Sequence, residues 1–226
     1  MPQTPLISLV RVSKKFGSGQ QALSEISAEF HEGTITYVTG HSGAGKTTLL
    51  RLIFGADKAS RGKVIAADRD VGKLTIAELP MYRRNVGVVF QNPNLIFRRT
   101  IFENVALPLL IDGEKLSQVE KRVRGALSRV HLAGRENLFP YQLSIGEQQR
   151  VGLARSIVRR PIILIADEPT GNLDPALSRT VFGLLSEYSA TGAAVVVASH
   201  DINLVAAYKG REVRLSRGRA VINDES

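Results

Sequence analysis

Two hydrophobic periods divide the chain. Alternating or continuous apolar runs predict strands at residues 7–12, 23–30, 34–39, 63–67 and 86–90, with a helix at 47–53 after the third of them. From about 92 to 160 the period becomes helical. Residues 101–107 open one helix, which Pro108 is expected to limit because proline lacks the N–H that the next turn requires. Residues 115–130 form a second, with Val119, Val123, Leu127 and Val130 on one face. A third starts at Ser144. Residues 162–166 are then continuously apolar, as in a parallel strand buried on both faces. A helix at 176–189 and a strand at 194–199 complete the alternation. The pattern predicts one domain over 1–226, with an α/β core at about 1–91 and 161–226 and a mostly helical insert at about 92–160.

The 226 residues suffice to bury a real core, and 43% hydrophobic with 23% charged residues is an ordinary globular balance. No run reaches the ~20 apolar residues of a membrane span, and no signal-peptide pattern opens the chain. The absence of cysteine excludes disulfides and thiolate metal sites and suits a reducing cytoplasm. A net charge of +9 favours polyanions, either nucleic acid or an anionic membrane face. The cations are dispersed, from Lys14-Lys15 through Arg83-Arg84 and Arg159-Arg160 to Arg219, so many serve as solvated surface.

The chemistry is concentrated at strand ends. Gly40-His41-Ser42-Gly43-Ala44-Gly45-Lys46-Thr47-Thr48 follows the third strand and opens a helix, and it spells a complete G-x-x-x-x-G-K-[ST] phosphate loop. Its glycines let successive N–H groups turn toward phosphates, and the helix N-terminus adds positive potential. Lys46 would reach the β- and γ-phosphates, and the Thr47 hydroxyl would hold Mg²⁺. The 162–166 strand ends in Asp167-Glu168. Two acids after a buried run are costly unless they meet cations or water. Asp167 is suited to Mg²⁺ alongside Thr47, and Glu168 to orienting or deprotonating the water that attacks the γ-phosphate. As a local device, the pair would also cap the turn at Pro169. Ser144 and Glu147 have the spacing of a helix capping box.

Leu143-Ser144-Ile145-Gly146-Glu147-Gln148-Gln149-Arg150 resembles the signature of the ATP-binding-cassette ATPases. In that family Ser and glycine N–H groups of the signature touch the γ-phosphate of ATP on a second copy, so the resemblance gives this role to Ser144, Gly146 and Glu147. It further implies that Phe16 stacks on adenine and that Gln91 contacts Mg²⁺. Asp174, in Gly171-Asn172-Leu173-Asp174, would meet the opposite subunit, and His200 would hydrogen-bond the γ-phosphate. Lys46, Gln91, Glu168 and His200 are then the catalytic set, and Thr47, Gln91 and Asp167 the metal set. The implied fold is α/β, a phosphate-loop ATPase core with an N-terminal antiparallel β part and a helical signature subdomain. The resemblance spans residues 7 to about 221. It implies an ATP hydrolase that works as a homodimer, since one chain contains one half of each composite site.

Within the family, Gly171-Asn172-Leu173-Asp174 resembles the branch serving cell division, lipoprotein release and macrolide export. The phosphate-loop and signature strings are most similar to its cell-division members. That similarity implies a permease-like integral membrane partner and a position on the cytoplasmic face of the inner membrane at the division site. An exporter or lipoprotein-release subunit, or a low-turnover ATP-dependent scaffold, are the alternatives. Nucleic-acid work of the chromosome-maintenance kind is disfavoured, because only 98 positions separate Lys46 from Ser144, too few for the long coiled coil of those relatives. One departure stands out: Ile145 replaces the first signature glycine.

Overall fold

The computed structural model describes residues 5–17 and 19–221. The chain runs β1 (Ile7–Lys15), β2 (Gln21–Phe30), β3 (Ile35–Thr39), α1 (Lys46–Ile53), β4 (Arg61–Ala66), β5 (Arg69–Asp70), α2 (Leu79–Arg83) and β6 (Val86–Phe90). It continues through α3 (Ile101–Ile111), α4 (Leu116–Arg129), α5 (Ile145–Ile157), β7 (Ile163–Asp167), α6 (Pro175–Ser189), β8 (Ala194–Ala198), α7 (Ile202–Ala207), β9 (Arg211–Ser216) and β10 (Arg219–Val221). These elements form two sheets. An antiparallel one has the order β2-β1-β4-β5, and a six-stranded one has the order β10-β9-β3-β8-β7-β6. In the second, β9, β3, β8, β7 and β6 are parallel and β10 returns antiparallel.

The apolar runs of β7 and β8 are continuous because both faces of the parallel sheet are covered. Ile163, Ile165 and Val196 point into a cluster shared with α1 and the antiparallel sheet. Leu164, Ala166, Val195 and Val197 point into a second cluster with α3, α4, α5 and α6. Side chains alternate across a strand, so a strand between two cores must be apolar at every position. The four residues of the α4 stripe, Val119, Val123, Leu127 and Val130, are all buried in the second cluster.

The structure corrects the expected end of the first insert helix. α3 runs through Pro108 to Ile111. Ile101, Val105, Ala106 and Leu109 are buried on both sides of the proline, and that burial outweighs the lost N–H bond of about 3 kcal/mol. The Pro108 carbonyl is used twice, accepting from Asp112 N–H at 3.2 Å and from Arg159 Nη2 at 2.7 Å. The hairpin of β9 and β10 went unforeseen. Val213 and Leu215 are its only buried apolar side chains among many arginines, and it turns at Arg217 and Gly218, both left-handed.

The parallel strands end flush, with Phe90 beside Asp167, Asp167 beside Ala198, and Val38 beside Ala198. The residues that follow β3, β6, β7 and β8 therefore share one edge of the sheet. In open parallel sheets ligands bind at this carboxyl edge.

Candidate active site

The phosphate loop occupies that edge between β3 and α1. Gly45, the residue before α1, has φ +106°, and a Cβ there would lie 2.7 Å from the Ala22 carbonyl oxygen. A Cβ on Gly40 would lie 2.3 Å from the Leu215 carbonyl oxygen. Only glycine fits at either position. Ala44 is buried, whereas His41, Ser42, Gly43 and Thr47 are exposed and Thr48 is half-buried. No side chain caps the α1 N-terminus, which leaves its free N–H groups for an anion.

Lys46 is 8% exposed, and its ammonium donates to the Gly40 carbonyl at 2.8 Å. It also lies 3.2 Å from Glu168 Oε1. The other Glu168 oxygen, Oε2, accepts from His200 Nδ1 at 2.8 Å. Glu168 is thus held between an ammonium and an imidazole. Its backbone is left-handed at φ +47°, a strained conformation for a glutamate, and its N–H donates to the Ala198 carbonyl at 3.0 Å. Thr47 Oγ1 donates to Asp167 Oδ1 at 3.1 Å. Burial pushes the Asp167 carboxyl above its ordinary pKa, and the neighbouring Glu168 charge adds to this, while the Thr47 bond and Lys46 oppose it. Together Thr47 and Asp167 present a pair of oxygens next to the loop, of the hard-donor kind that Mg²⁺ selects. The fold brings together Lys46, Thr47, Asp167, Glu168 and His200 from three strand ends.

Gln91 follows β6 and lies over the turn after Glu168: a Cβ on Gly171 would be 2.6 Å from Gln91 Nε2. Phe16 is 38% exposed rather than part of the core, with the Lys14 ammonium 5.2 Å from its ring centre. The expected capping box is present. Ser144 N–H donates to Glu147 Oε2 at 2.9 Å, and Glu147 N–H to Ser144 Oγ at 3.3 Å. Asp174 caps α6, accepting from Ala176 and Leu177 N–H at 2.9 Å. Gly146 packs on that same Leu177, where a Cβ would come within 2.7 Å. Among the described residues, no hydrogen bond or ion pair joins Ser144, Gly146, Glu147 or Asp174 to Lys46, Thr47, Asp167, Glu168 or His200. The signature and Asp174 thus form a second group.

Among the signature residues given no role from sequence, Gln149 has a clear structural one. Gln149 is 2% exposed and donates from Nε2 to the Phe90 carbonyl at 2.8 Å. Ser156 donates to the Val88 carbonyl from the same helix, and Arg155 to the Asn94 carbonyl at 3.2 Å. β6 is an edge strand, and α5 satisfies its outer carbonyls. The signature helix is thereby tied to the strand that carries Gln91. The clue was a buried-type position bearing an amide, which helical periodicity alone does not separate from surface.

A phosphate loop, two acids after a buried strand and a signature helix on an inserted bundle define an ATP-binding cassette. The ABC transporter family profile matches residues 23–171, and the chain belongs to that family as one of its ATP-hydrolysing cassettes. It is 44% identical to the cell division ATP-binding protein FtsE of Escherichia coli K12, over 94% of this chain and 96% of that protein. It is 42% identical to FtsE of Bacillus subtilis, over 98% and 96%. Among solved structures, cbiO1 of Clostridium perfringens, part of the ABC transporter complex cbiONQ, superposes with TM-score 0.91 at 26% identity, covering 97% of this chain and 88% of that one. The bacterial cassette MJ0796, solved as a dimer, superposes with TM-score 0.85 at 35% identity, over 95% and 96%.

Proposed function

We propose that the chain is the ATPase subunit of a cell-division membrane complex, paired with an FtsX-like permease subunit and coupling ATP cycles to cell-wall hydrolysis outside the membrane. The observation that carries this is near-full-length similarity to FtsE proteins of several bacteria. Two copies act together, each supplying residues to both nucleotides, which the dimeric relative MJ0796 supports. Residues 40–48 cradle the phosphates, Lys46 neutralises their charge, and Phe16 covers the adenine. Ser144, Gly146, Glu147 and Asp174 serve the nucleotide of the second copy; their separation from the Lys46 group within one chain supports this. Thr47 and Asp167, with Gln91, would hold Mg²⁺, which neutralises negative charge on the phosphate oxygens when bound.

Glu168 is the general base. Its carboxylate takes a proton from the attacking water while the His200 imidazole fixes its orientation. The Lys46 ammonium at 3.2 Å and the His200 imidazole at 2.8 Å keep the carboxylate beside the loop. Residues 91–110 carry the motion to the membrane subunit, and the 54% exposure of Phe97 in that stretch supports a contact there. No helix among the described residues is long and apolar enough to cross a membrane. The subunit sits on the cytoplasmic face of the inner membrane at the division site, and the +9 charge assists through anionic lipid.

The test is a tagged Glu168→Gln chain, expressed in its native host and recovered from membranes solubilised with ATP present. This variant is expected to bind ATP, to stay dimeric and to lose about 10²–10⁴-fold in turnover. A permease-like protein with an extracytoplasmic domain of the division type should co-purify. An exporter or lipoprotein-release subunit would replace the biology and keep the mechanism. Wild-type turnover would remove Glu168 from its role.

A further inference from the structure

The outer face of the antiparallel sheet carries a trough of about 860 Å³ that the ATPase chemistry does not use. Five cations line it, Arg11, Lys14 and Lys15 from β1 and Arg61 and Lys63 from β4, against one carboxylate, Glu25. No residue of the 40–48 phosphate loop lines it. Among the described residues, Arg11, Lys15, Arg61 and Lys63 have no salt-bridge partner; what sets them apart is that they share one recess. Cations left unpaired side by side repel one another, so this surface is stabilised by any anion that enters it.

The trough is built into the strand geometry. β1 is bulged between Val10 and Ser13 against β4, and Arg11 is left-handed at φ +45°. Opposite it is Gly62, where a Cβ would lie 2.2 Å from the Arg11 carbonyl oxygen, so only glycine lets the strands approach. The N–H groups freed by the irregular register are satisfied by serines: Arg11 N–H by Ser27 Oγ at 3.1 Å, Glu25 N–H by Ser13 Oγ at 3.0 Å, and Lys15 N–H by Ser60 Oγ at 3.0 Å. With these bonds in place the bulge holds, and the long cationic side chains are left to face solvent.

We propose that this trough binds an extended acidic polypeptide segment of a partner protein. β1 is paired on both edges, so its backbone is not open to strand addition, and recognition must go through side chains. Arg61 and Lys63 stand two residues apart on the exposed side of β4 and both line the trough, so an extended segment with acids at alternate positions can offer a carboxylate to each. Among the described residues no aromatic side chain lines the trough, and the single Phe16 that borders it beside Lys14 is the residue assigned to the adenine, so the trough lacks the successive stacking platforms of a single-strand nucleic-acid site. Its cations line a recess and suit a protruding chain better than a flat bilayer.

The experiment uses the full-length chain and a fluorescein-labelled peptide of alternating Glu and Ser, read by anisotropy at low and physiological salt. Arg61→Glu with Lys63→Glu is compared with Lys121→Glu and Arg124→Glu on α4, which makes the same change in net charge at another exposed surface. Neither pair belongs to the catalytic set, and ATP hydrolysis is expected to stay at the wild-type level in both. Arg61→Ser with Lys63→Ser replaces the first pair if it fails that check. The expected result is salt-sensitive binding that weakens about tenfold or more in the trough pair and less than about twofold in the control. Absence of peptide binding at low salt would overturn the proposal, as would equal losses in both pairs, which would reduce the effect to overall charge. Retention on phosphatidylglycerol vesicles or on single-stranded DNA that depends on Arg61 and Lys63, with no peptide binding, would overturn it in favour of lipid or nucleic acid.

Discussion

Ile145→Gly is expected to increase ATP turnover and ATP-driven dimerisation about fivefold. Ile145 is the first residue of α5, follows the capping Ser144, and is 67% exposed. Its bulk projects from the helix end that the proposed mechanism aims at the second copy's γ-phosphate. The capping bonds run between Ser144 and Glu147 and leave the Ile145 side chain out, so in the variant the Gly146 N–H keeps its direction and the Glu147 N–H its bond to Ser144 Oγ. The stability cost is small. The change in helix propensity costs about 0.5 kcal/mol, and loss of the roughly one-third of the side chain that is covered costs about 1 kcal/mol. That is a minor part of the roughly 5–15 kcal/mol of a typical domain. Relief of a crowding cost near 1 kcal/mol in the closed dimer corresponds to about a fivefold change. The assay is steady-state hydrolysis over a range of protein concentrations, with sedimentation of Glu168→Gln and of Glu168→Gln with Ile145→Gly in ATP. Ile145→Ala, which keeps helix propensity, should move in the same direction. Unchanged turnover together with an unchanged dimer fraction would refute the reasoning.

Three further outcomes test other links. The backbone N–H of Ser144, followed by its hydroxyl, holds the Glu147 carboxyl below its ordinary pKa. A depressed carboxyl stabilises the fold above its unfolded pKa of 4.5 and loses that contribution as pH falls through the folded value. Urea midpoints of wild type and Glu147→Gln should therefore differ near neutrality and converge in acid; a constant gap would deny the linkage. Ser144→Ala should cost about 1 kcal/mol by loss of the cap, measured by the same unfolding. Gly171→Ala places a methyl 2.6 Å from Gln91 Nε2, and the flexible amide must move. Turnover is expected to fall about fivefold with the melting temperature unchanged, whereas a drop in melting temperature alone would make Gly171 a packing residue.

Several parts of this protein could be read along the chain because their causes are local. The phosphate loop is one, since glycine conformations and a helix N-terminus lie within nine consecutive residues. The capping box at Ser144 and Glu147 is another, and so is the stripe at Val119, Val123, Leu127 and Val130, whose spacing alone defines a face. The buried run into Asp167 announced a central strand and the two acids at its end. Other features depended on contacts distant in sequence. Pro108 stayed within α3 because residues on both sides of it are buried, a balance that the local rule about proline does not contain. Phe16 is an isolated aromatic with no hydrophobic period around it to assign it a side, and only the fold leaves it exposed. The meeting of Lys46 and His200 at Glu168 required β3, β8 and β7 to lie side by side with flush ends, and the pairing of β3 with β8 joins segments more than a hundred residues apart. The cationic trough was likewise invisible in a scatter of lysines and arginines. Charge along a chain says nothing of which cations share a face; the pairing of β1 with β4 and the bulge at Arg11 decided that.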